Sequence, residues 1–320
     1  MKNILIALFC VALLASAAAA QHQHHMAMPV STTAKLEVGN DAGAEVLTLR
    51  LGPLDLPAHA DHMTVAQPAP MILEIPFDGW IIAYHPRMVD GLGNPLPNRM
   101  LHHVAFWNTG RSDFLCPNKL EHIFGAGGEM NDWPAQPGIG YRVRPGDKIR
   151  ITSMFHNPTD AGYSAAYLEV KVEYKTVAEA RLASVYPAWL DVQACGESGY
   201  DLPPGVNVHT GSFTLAYSGK LLGVGGHLHD YGKGLTLTDD SSKDVIADLP
   251  PKTDAQGRLL SMPIKLFLDR GGYPLALGQV LTVSAQYENP TGQAIPEGAM
   301  GIVVGYFLPD DAAQMAKLKR

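Results

Sequence analysis

Hydrophobic and polar residues alternate along much of this chain with a period of two, the pattern that is typical of β-strands. Residues 167–174 show it clearly, because apolar side chains there are separated by Glu169, Lys171 and Glu173. A run of this kind predicts an antiparallel strand with one face in the core and the other in water. Helical periodicity is scarce beyond residue 20, and residues 310–320 are expected to form a short helix or a frayed tail. The pattern therefore predicts an all-β protein.

The pattern of turns and strands also repeats along the chain. Residues 140–159 and 272–291 both run from Gly-Tyr through a turn glycine to Asn-Pro-Thr. Gly140 matches Gly272 and Asn157 matches Asn289, 132 residues apart in each case. Such self-similarity indicates two copies of one structural unit. We therefore predict two tandem antiparallel β-sandwiches of jelly-roll type, related by internal duplication, over residues 35–180 and 181–309.

The first twenty residues are predicted to be a signal peptide. Lys2 precedes an apolar run over residues 4–14, which is too short to span a bilayer comfortably, and three alanines precede Gln21. An uncleaved anchor is the alternative. No later segment is apolar enough to cross a membrane, so we expect an exported protein, periplasmic or secreted, without membrane association after cleavage. Residues 21–34 are rich in His and Met and are expected to form a flexible tail, which could capture copper.

The composition excludes one class of partner and adds one oddity. The chain has 320 residues and a formal net charge of −7, whereas a nucleic-acid-binding protein should show a basic face. We therefore expect no nucleic-acid partner. Thirteen His and twelve Met are unusual in a chain with only 17% charged residues. Nothing in the sequence indicates an oligomeric state.

The histidines of interest fall into two sets, one in each predicted copy. His102 and His103 are adjacent, with His156 before the first Asn-Pro-Thr turn, and His227 and His229 form a His-x-His pair. Residues i and i+2 of a strand share a face, so the second pair can present two imidazoles to one ion. Adjacent histidines point to opposite faces and could share an ion only through a bulge or by using different ring nitrogens. An isolated pair is more often satisfied by hydrogen bonds, but two sets, which we take to lie at matching places, favour metal binding.

The histidine spacing alone does not identify a third ligand for the second set. The 132-residue offset places Glu288 opposite His156 and Met300 opposite Leu168. Three imidazoles suit copper, zinc, iron or nickel, whereas two imidazoles and a thioether select copper because sulfur stabilises Cu(I). The alternative for Met300 is ordinary core packing.

Residues 70–308 resemble the copper type II, ascorbate-dependent monooxygenases, the family that includes peptidylglycine α-hydroxylating monooxygenase and dopamine β-monooxygenase. The family's His-His pair, third histidine, His-x-His pair and methionine all have counterparts here. The resemblance implies two β-sandwich domains with one copper on each, two ions per chain, facing across a solvent-filled cleft. The implied ligands are His102, His103 and His156 for an electron-transfer copper, and His227, His229 and Met300 for a catalytic, O₂-activating copper.

The resemblance also implies an activity, hydroxylation of a C–H bond of a small-molecule substrate with O₂ and electrons from ascorbate or another one-electron donor. The substrate anchors depart from the family, because its arginine two residues before His-x-His is Gly225 here, and its asparagine and tyrosine after the methionine are Ile302 and Val304. A C-terminal glycine peptide is therefore not the expected substrate. We expect the floor of the pocket to be more apolar than in the peptide-hydroxylating members. The alternatives are an exported copper-binding or storage protein without turnover and a structural pair of sandwiches with vestigial sites.

Two cysteines remain after the predicted cleavage, Cys116 and Cys195, and in an oxidising compartment they could form a disulfide. Two separate buried thiols are the alternative. The remaining histidines after the tail have no assigned role; they are His59, His62, His85, His122 and His209.

Overall fold

The structure is a computed structural model that describes residues 28–129 and 133–319. Nearly all of its regular structure is β, which confirms the predicted all-β class. The predicted signal peptide and residues 21–27 of the predicted tail lie outside the described residues. Within the described residues, no helix is long and apolar enough to cross a bilayer.

The first half of the described chain contains twelve strands. They are β1 (Val30–Ser31), β2 (Lys35–Asp41), β3 (Val46–Leu56), β4 (Gln67–Pro68), β5 (Met71–Glu74), β6 (Gly79–Val89), β7 (Leu101–Ser112), β8 (Leu120–Ala126), β9 (Ile139–Val143), β10 (Lys148–Phe155), β11 (Tyr163–Thr176) and β12 (Ala183–Ser184). A short 3₁₀ helix, Asn98–Met100, precedes β7.

The second half of the described chain contains thirteen strands. They are β13 (Tyr186–Asp191), β14 (Tyr200–Leu202), β15 (Gly205–Thr214), β16 (Gly219–Leu228), β17 (Gly232–Asp239), β18 (Val245–Asp248), β19 (Lys252–Thr253), β20 (Leu259–Ser261), β21 (Lys265–Leu266), β22 (Tyr273–Leu275), β23 (Val280–Asn289), β24 (Ile295–Ala299) and β25 (Gly301–Pro309). Two 3₁₀ helices are Leu268–Arg270 and Gln314–Leu318.

Each half is a pair of packed sheets. The first half has a four-stranded sheet, β5-β10-β7-β8, and a six-stranded sheet, β12-β9-β6-β11-β3-β2. Their facing side chains form one core, to which the alternating residues of β11, such as Val170 and Val172, contribute while Lys171 points to water. The alternation read from the sequence is therefore the reason that β11 covers the core with one face.

The second half repeats this order of strands. Its four-stranded sheet is β15-β23-β17-β18, and its larger sheet is β13-β25-β16-β21, with β22 also beside β16. Asn157 and Asn289, which follow or end β10 and β23, make matching bonds: each side chain accepts from the Thr two residues on and donates to the carbonyl four residues on. These shared features support the predicted duplication, which stays a prediction.

The chain passes between the halves at Val185, because β12 joins the first half and β13 the second. This point is a few residues after the predicted limit at residue 180. The end of the chain is a 3₁₀ helix whose Met315 and Leu318 are buried in the second core, so residues 314–318 are packed.

A disulfide and several aromatic contacts join the two halves. Cys116 of the first half is bonded to Cys195 of the second, with 5.6 Å between their Cα atoms. Nearby, the ring of His122 on β8 stacks on Trp189 of β13 at 3.4 Å. The four-stranded sheet of the first half therefore packs against the larger sheet of the second half.

Candidate metal centre

The first pair of histidines lies at a β-bulge. Strand β7 pairs with β10 so that His103 is opposite Met154 while Leu101 is opposite Phe155, which leaves His102 as the extra residue. A bulge re-aims side chains that would otherwise point to opposite faces. The Nδ1 atoms of His102 and His103 are consequently only 3.0 Å apart. The structure thus contains the bulge that adjacent histidines need if they are to share an ion.

His156 follows β10 and lies beside the bulge. Its backbone N–H donates to the carbonyl of Met100, and its Nε2 donates to the carbonyl of Arg99 at 2.6 Å. With the proton on Nε2, the Nδ1 atom carries the free lone pair. The ring centres of His102 and His156 are 5.2 Å apart.

The second pair lies at the end of β16. Residues 224 and 228 of this strand pack into the second core, so the alternate face, which includes Gly225 and His227, points to the first half. His227 donates through Nδ1 to the carboxylate of Glu129, while its buried Nε2 has no hydrogen-bond partner among the described residues. The Nε2 of His229 is likewise buried and without a partner in the described part of the chain.

A single tyrosine hydroxyl ties His229 to Met300. The backbone N–H groups of His229 and Met300 donate to the Tyr287 hydroxyl at 2.9 and 3.2 Å, and the hydroxyl donates to the carbonyl of Met300. The Met300 methyl lies near Gly199, 3.8 Å from where a Cβ at that glycine would be. The segment that carries Met300 is thus held beside His229, and its side chain is not among the described residues that line the central cavity.

Members of both predicted sets line one cavity of about 350 Å³ between the halves: His102 and His156 of the first, and His227 and His229 of the second. His103 lies beside His102 and is not part of the lining. The ring centres of His102 and His229, one from each set, are 5.0 Å apart. The two sets are therefore adjacent in this structure, and the wide cleft between them that the resemblance implies is not found. The sets are also not at matching places, because His102 lies on the four-stranded sheet of the first half and His227 on the larger sheet of the second.

The spacing of the rings fits shared metal ions. Two imidazoles bound to one ion through nitrogen–metal bonds of about 2 Å have ring centres about 5 Å apart. The ring centres are 5.1 Å apart for His102 and His103 and 5.3 Å apart for His227 and His229. As the side chains stand, no group of three or more His, Cys, Asp or Glu within residues 28–129 and 133–319 has its donor atoms converging on one metal position. The unpartnered Nε2 atoms and the imidazole donors of the two sets nonetheless fit a copper-type ion.

Burial keeps most of these imidazoles neutral, which is the form that binds metals. Burial lowers the pKa of His103 to about 4, and neighbouring histidines lower it further. Burial likewise lowers the pKa values of His102, His156 and His229. His227 differs: burial lowers its pKa, but the charge and hydrogen bond of Glu129 outweigh that effect and raise it overall.

The cavity is more acidic than the sequence suggested. Beside the histidines its lining includes four carboxylates and one guanidinium: Asp61, Glu129, Asp230, Glu297 and Arg99. The expected apolar floor is found instead next to the cavity, where the Trp133 ring lies over Gly225, 3.0 Å from where a Cβ would be.

Three residues of the site have no role in the sequence analysis. Glu129 bonds His227 across 98 residues, and no spacing in the sequence could indicate that contact. The sequence does hold a signal for Tyr287, because the 132-residue offset pairs it with Phe155, and the two side chains differ by the tyrosine hydroxyl. His62 lines the cavity, with its ring centre 4.9 Å from that of His102.

No protein-family model matches the chain. The chain is 24% identical over 234 residues to the probable copper-dependent oxygenase clz3 of Cochliobolus lunatus, which covers 66% of this chain and 73% of that protein. It is 26% identical over 236 residues to the probable copper-dependent oxygenase M1 of Phoma sp. (strain ATCC 20986 / MF5453), covering 66% of this chain and 58% of that protein.

Two solved structures align with most of the chain at low sequence identity. PNGase F, a glycosylasparaginase from Flavobacterium meningosepticum, aligns with 83% of this chain and 96% of its own at a TM-score of 0.42 and 8% identity. The major capsid protein P2 of bacteriophage PM2 aligns with 81% of this chain and 97% of its own at a TM-score of 0.34 and 11% identity.

Proposed function

We propose that this protein is a copper-dependent oxygenase that hydroxylates a C–H bond of a small molecule with O₂ and an ascorbate-type electron donor. The observation that carries the proposal is that four of the five predicted histidines, His102, His156, His227 and His229, line one cavity, with the Nε2 atoms of His227 and His229 buried and unpartnered in the described part of the chain. Two relatives named probable copper-dependent oxygenases support the choice of copper.

In this proposal the two histidine sets hold two copper ions. His102, His103 and His156 would hold an electron-transfer ion, and His227, His229 and Met300 a catalytic ion. When bound, copper supplies one-electron redox chemistry and activation of O₂.

The surrounding residues prepare these ligands. Glu129 accepts the Nδ1 proton of His227, so that the lone pair is on Nε2, the arrangement that commonly orients metal-binding imidazoles. The Arg99 carbonyl fixes the opposite tautomer in His156 by accepting from Nε2. Tyr287 holds the backbones of His229 and Met300 together. Burial of the rings limits water around the site, which strengthens interactions inside it.

The charge of the cavity restricts the substrate class. Four carboxylates and one guanidinium line it, so Arg99 is the one described lining side chain of fixed positive charge, and apart from the proposed copper ions the lining disfavours a substrate carboxylate. Gly225 cannot anchor an anion, and the space over it is taken by Trp133. Ile302 and Val304, opposite His227 and Gly225 on the neighbouring strand, are buried and apolar. We therefore propose a neutral or cationic small-molecule substrate, not a C-terminal glycine peptide.

We also propose that the protein is exported to the periplasm or secreted. The Cys116–Cys195 disulfide supports this, because disulfides persist mainly in oxidising compartments.

The deciding experiment uses purified full chain loaded with copper. It would be given ascorbate, ¹⁸O₂ and a panel of neutral and cationic small molecules, with bound copper counted by mass spectrometry. The proposal predicts two coppers per chain and one ¹⁸O atom in each product molecule. Met300→Ala should abolish hydroxylation while the copper at His102, His103 and His156 remains. Two bound coppers with no substrate-dependent O₂ uptake would instead indicate the copper-storage alternative.

A further inference from the structure

His62 belongs to neither predicted set of ligands, yet its side chain faces the same cavity. It lies in the loop between β3 and β4, and its ring centre is 4.9 Å from that of His102. Its side chain is 18% exposed, whereas that of His59 in the same loop is 67% exposed. The two histidines of this loop therefore have different surroundings, and only His62 reaches the cluster.

The loop is fixed to the strand end that carries His156. Asn157 donates its backbone N–H to the carbonyl of Ala60 at 2.8 Å. The buried side chain of Gln67 donates to the carbonyls of His62 and Phe155 at 2.9 and 2.8 Å, and accepts from the backbone N–H of Phe155. The backbone of His62 is therefore held in a defined position relative to the first histidine set.

The ring spacing is the one found within that set. His102 lies 5.1 Å from His103 and 5.2 Å from His156, ring centre to ring centre, and 4.9 Å from His62. Each value matches the separation of about 5 Å that two imidazoles on one ion would have. The distance from His102 to His229 is also 5.0 Å, so the spacing places His62 in the cluster, and its fixed position beside the His156 strand end assigns it to the first set. Nδ1 of His62 lies 3.4 Å from the carboxylate of Asp61, so the ring sits beside a negative charge that also favours a bound cation.

We propose that His62 is a fourth imidazole ligand of the copper held by His102, His103 and His156. The proposal rests on the proposed function, since it requires copper at that set. It adds a nitrogen donor from the β3–β4 loop, so all four imidazoles on the first ion would come from the first half.

The test compares His62→Ala with His59→Ala, a matched removal of the exposed histidine three residues earlier. Both variants and the unaltered full chain would be loaded with Cu(II), and the electron paramagnetic resonance spectrum and the affinity against a competing chelator would be measured. We expect His62→Ala to bind one of the two ions at least tenfold more weakly and to change its nitrogen hyperfine pattern. His59→Ala should match the unaltered chain in both measurements.

A second variant, His62→Gln, keeps a polar side chain and guards against an effect of loop packing, and thermal unfolding would check that each variant is folded. Unaltered spectra and affinity in folded His62→Ala and His62→Gln would overturn the ligand role while leaving the proposed function intact. If the unaltered chain binds no copper, both proposals fail, so the two failures are distinguishable.

Discussion

Replacing Tyr287 by phenylalanine removes one hydroxyl from the centre of the site and no other atom. The change is sterically mild, because the residue 132 positions earlier is already Phe155 and both rings are fully buried. The lost hydroxyl accepts from the backbones of His229 and Met300 and donates to the carbonyl of Met300. Tyr287→Phe therefore tests whether this one group holds the two segments together.

The magnitude follows from the number of bonds. A hydrogen bond contributes about 1 kcal/mol net, and a buried donor left without a partner costs about 1–3 kcal/mol. Loss of three bonds, with two backbone N–H groups left to find other partners, should lower the free energy of unfolding by about 3 kcal/mol. Looser positioning of His229 should also weaken copper binding at the second set.

The assay is urea denaturation of the metal-free chain, followed by copper titration against a chelator. Tyr200→Phe is the matched control, because that hydroxyl is buried and has no hydrogen-bond partner among the described residues. We expect Tyr200→Phe to leave stability unchanged or slightly raised. Equal stabilities for Tyr287→Phe, Tyr200→Phe and the unaltered chain would refute the argument that the Tyr287 hydroxyl joins these segments.

Three further changes probe the ligand support, the buried charge and the disulfide. Glu129→Ala should weaken copper binding at His227 about 10–100-fold, because the carboxylate orients that ring; chelator competition would measure it, and unchanged affinity would contradict it. Burial raises the pKa of Glu121 to about 7, above the 4.5 of the free side chain, so its contribution to stability is full below pH 4.5 and is lost as pH rises through 7. The difference in free energy of unfolding between Glu121→Gln and the unaltered chain should therefore change by about 3 kcal/mol in favour of the variant from pH 4.5 to pH 8.5. Parallel pH profiles of the two proteins would disprove the raised pKa of Glu121. Reduction of the Cys116–Cys195 bond, which closes a loop of 79 residues, should lower the free energy of unfolding by about 4 kcal/mol; denaturation with and without dithiothreitol measures it, and a Cys116→Ser, Cys195→Ser double variant that matches the oxidised chain would argue against it.

Local periodicity was enough to predict the parts of this fold that depend on neighbouring residues. The strand class follows from the alternation around Lys171, and the shared face of His227 and His229 follows from the two-residue repeat of a strand. The sequence could show that a bulge at His102 is one way for the adjacent histidines to share an ion, but it could not predict the bulge, because bulges depend on how two strands pair. The contact between Glu129 and His227 spans 98 residues and depends on the packing of the halves, which no local pattern contains.

The packing of the halves also explains why the repeat could not identify the ligands of the second set. The first half presents its four-stranded sheet to the interface and the second half its larger sheet, so two similar units meet through different surfaces. In such a head-to-tail contact, equivalent residues cannot both face the partner. Glu288, the counterpart of His156 at the 132-residue offset, accordingly lies on the outward four-stranded sheet, is exposed and pairs with Lys233. Histidines that line one interfacial cavity must therefore come from non-equivalent strands, and the proposed ligands here lie on or directly after β7, β10 and β16.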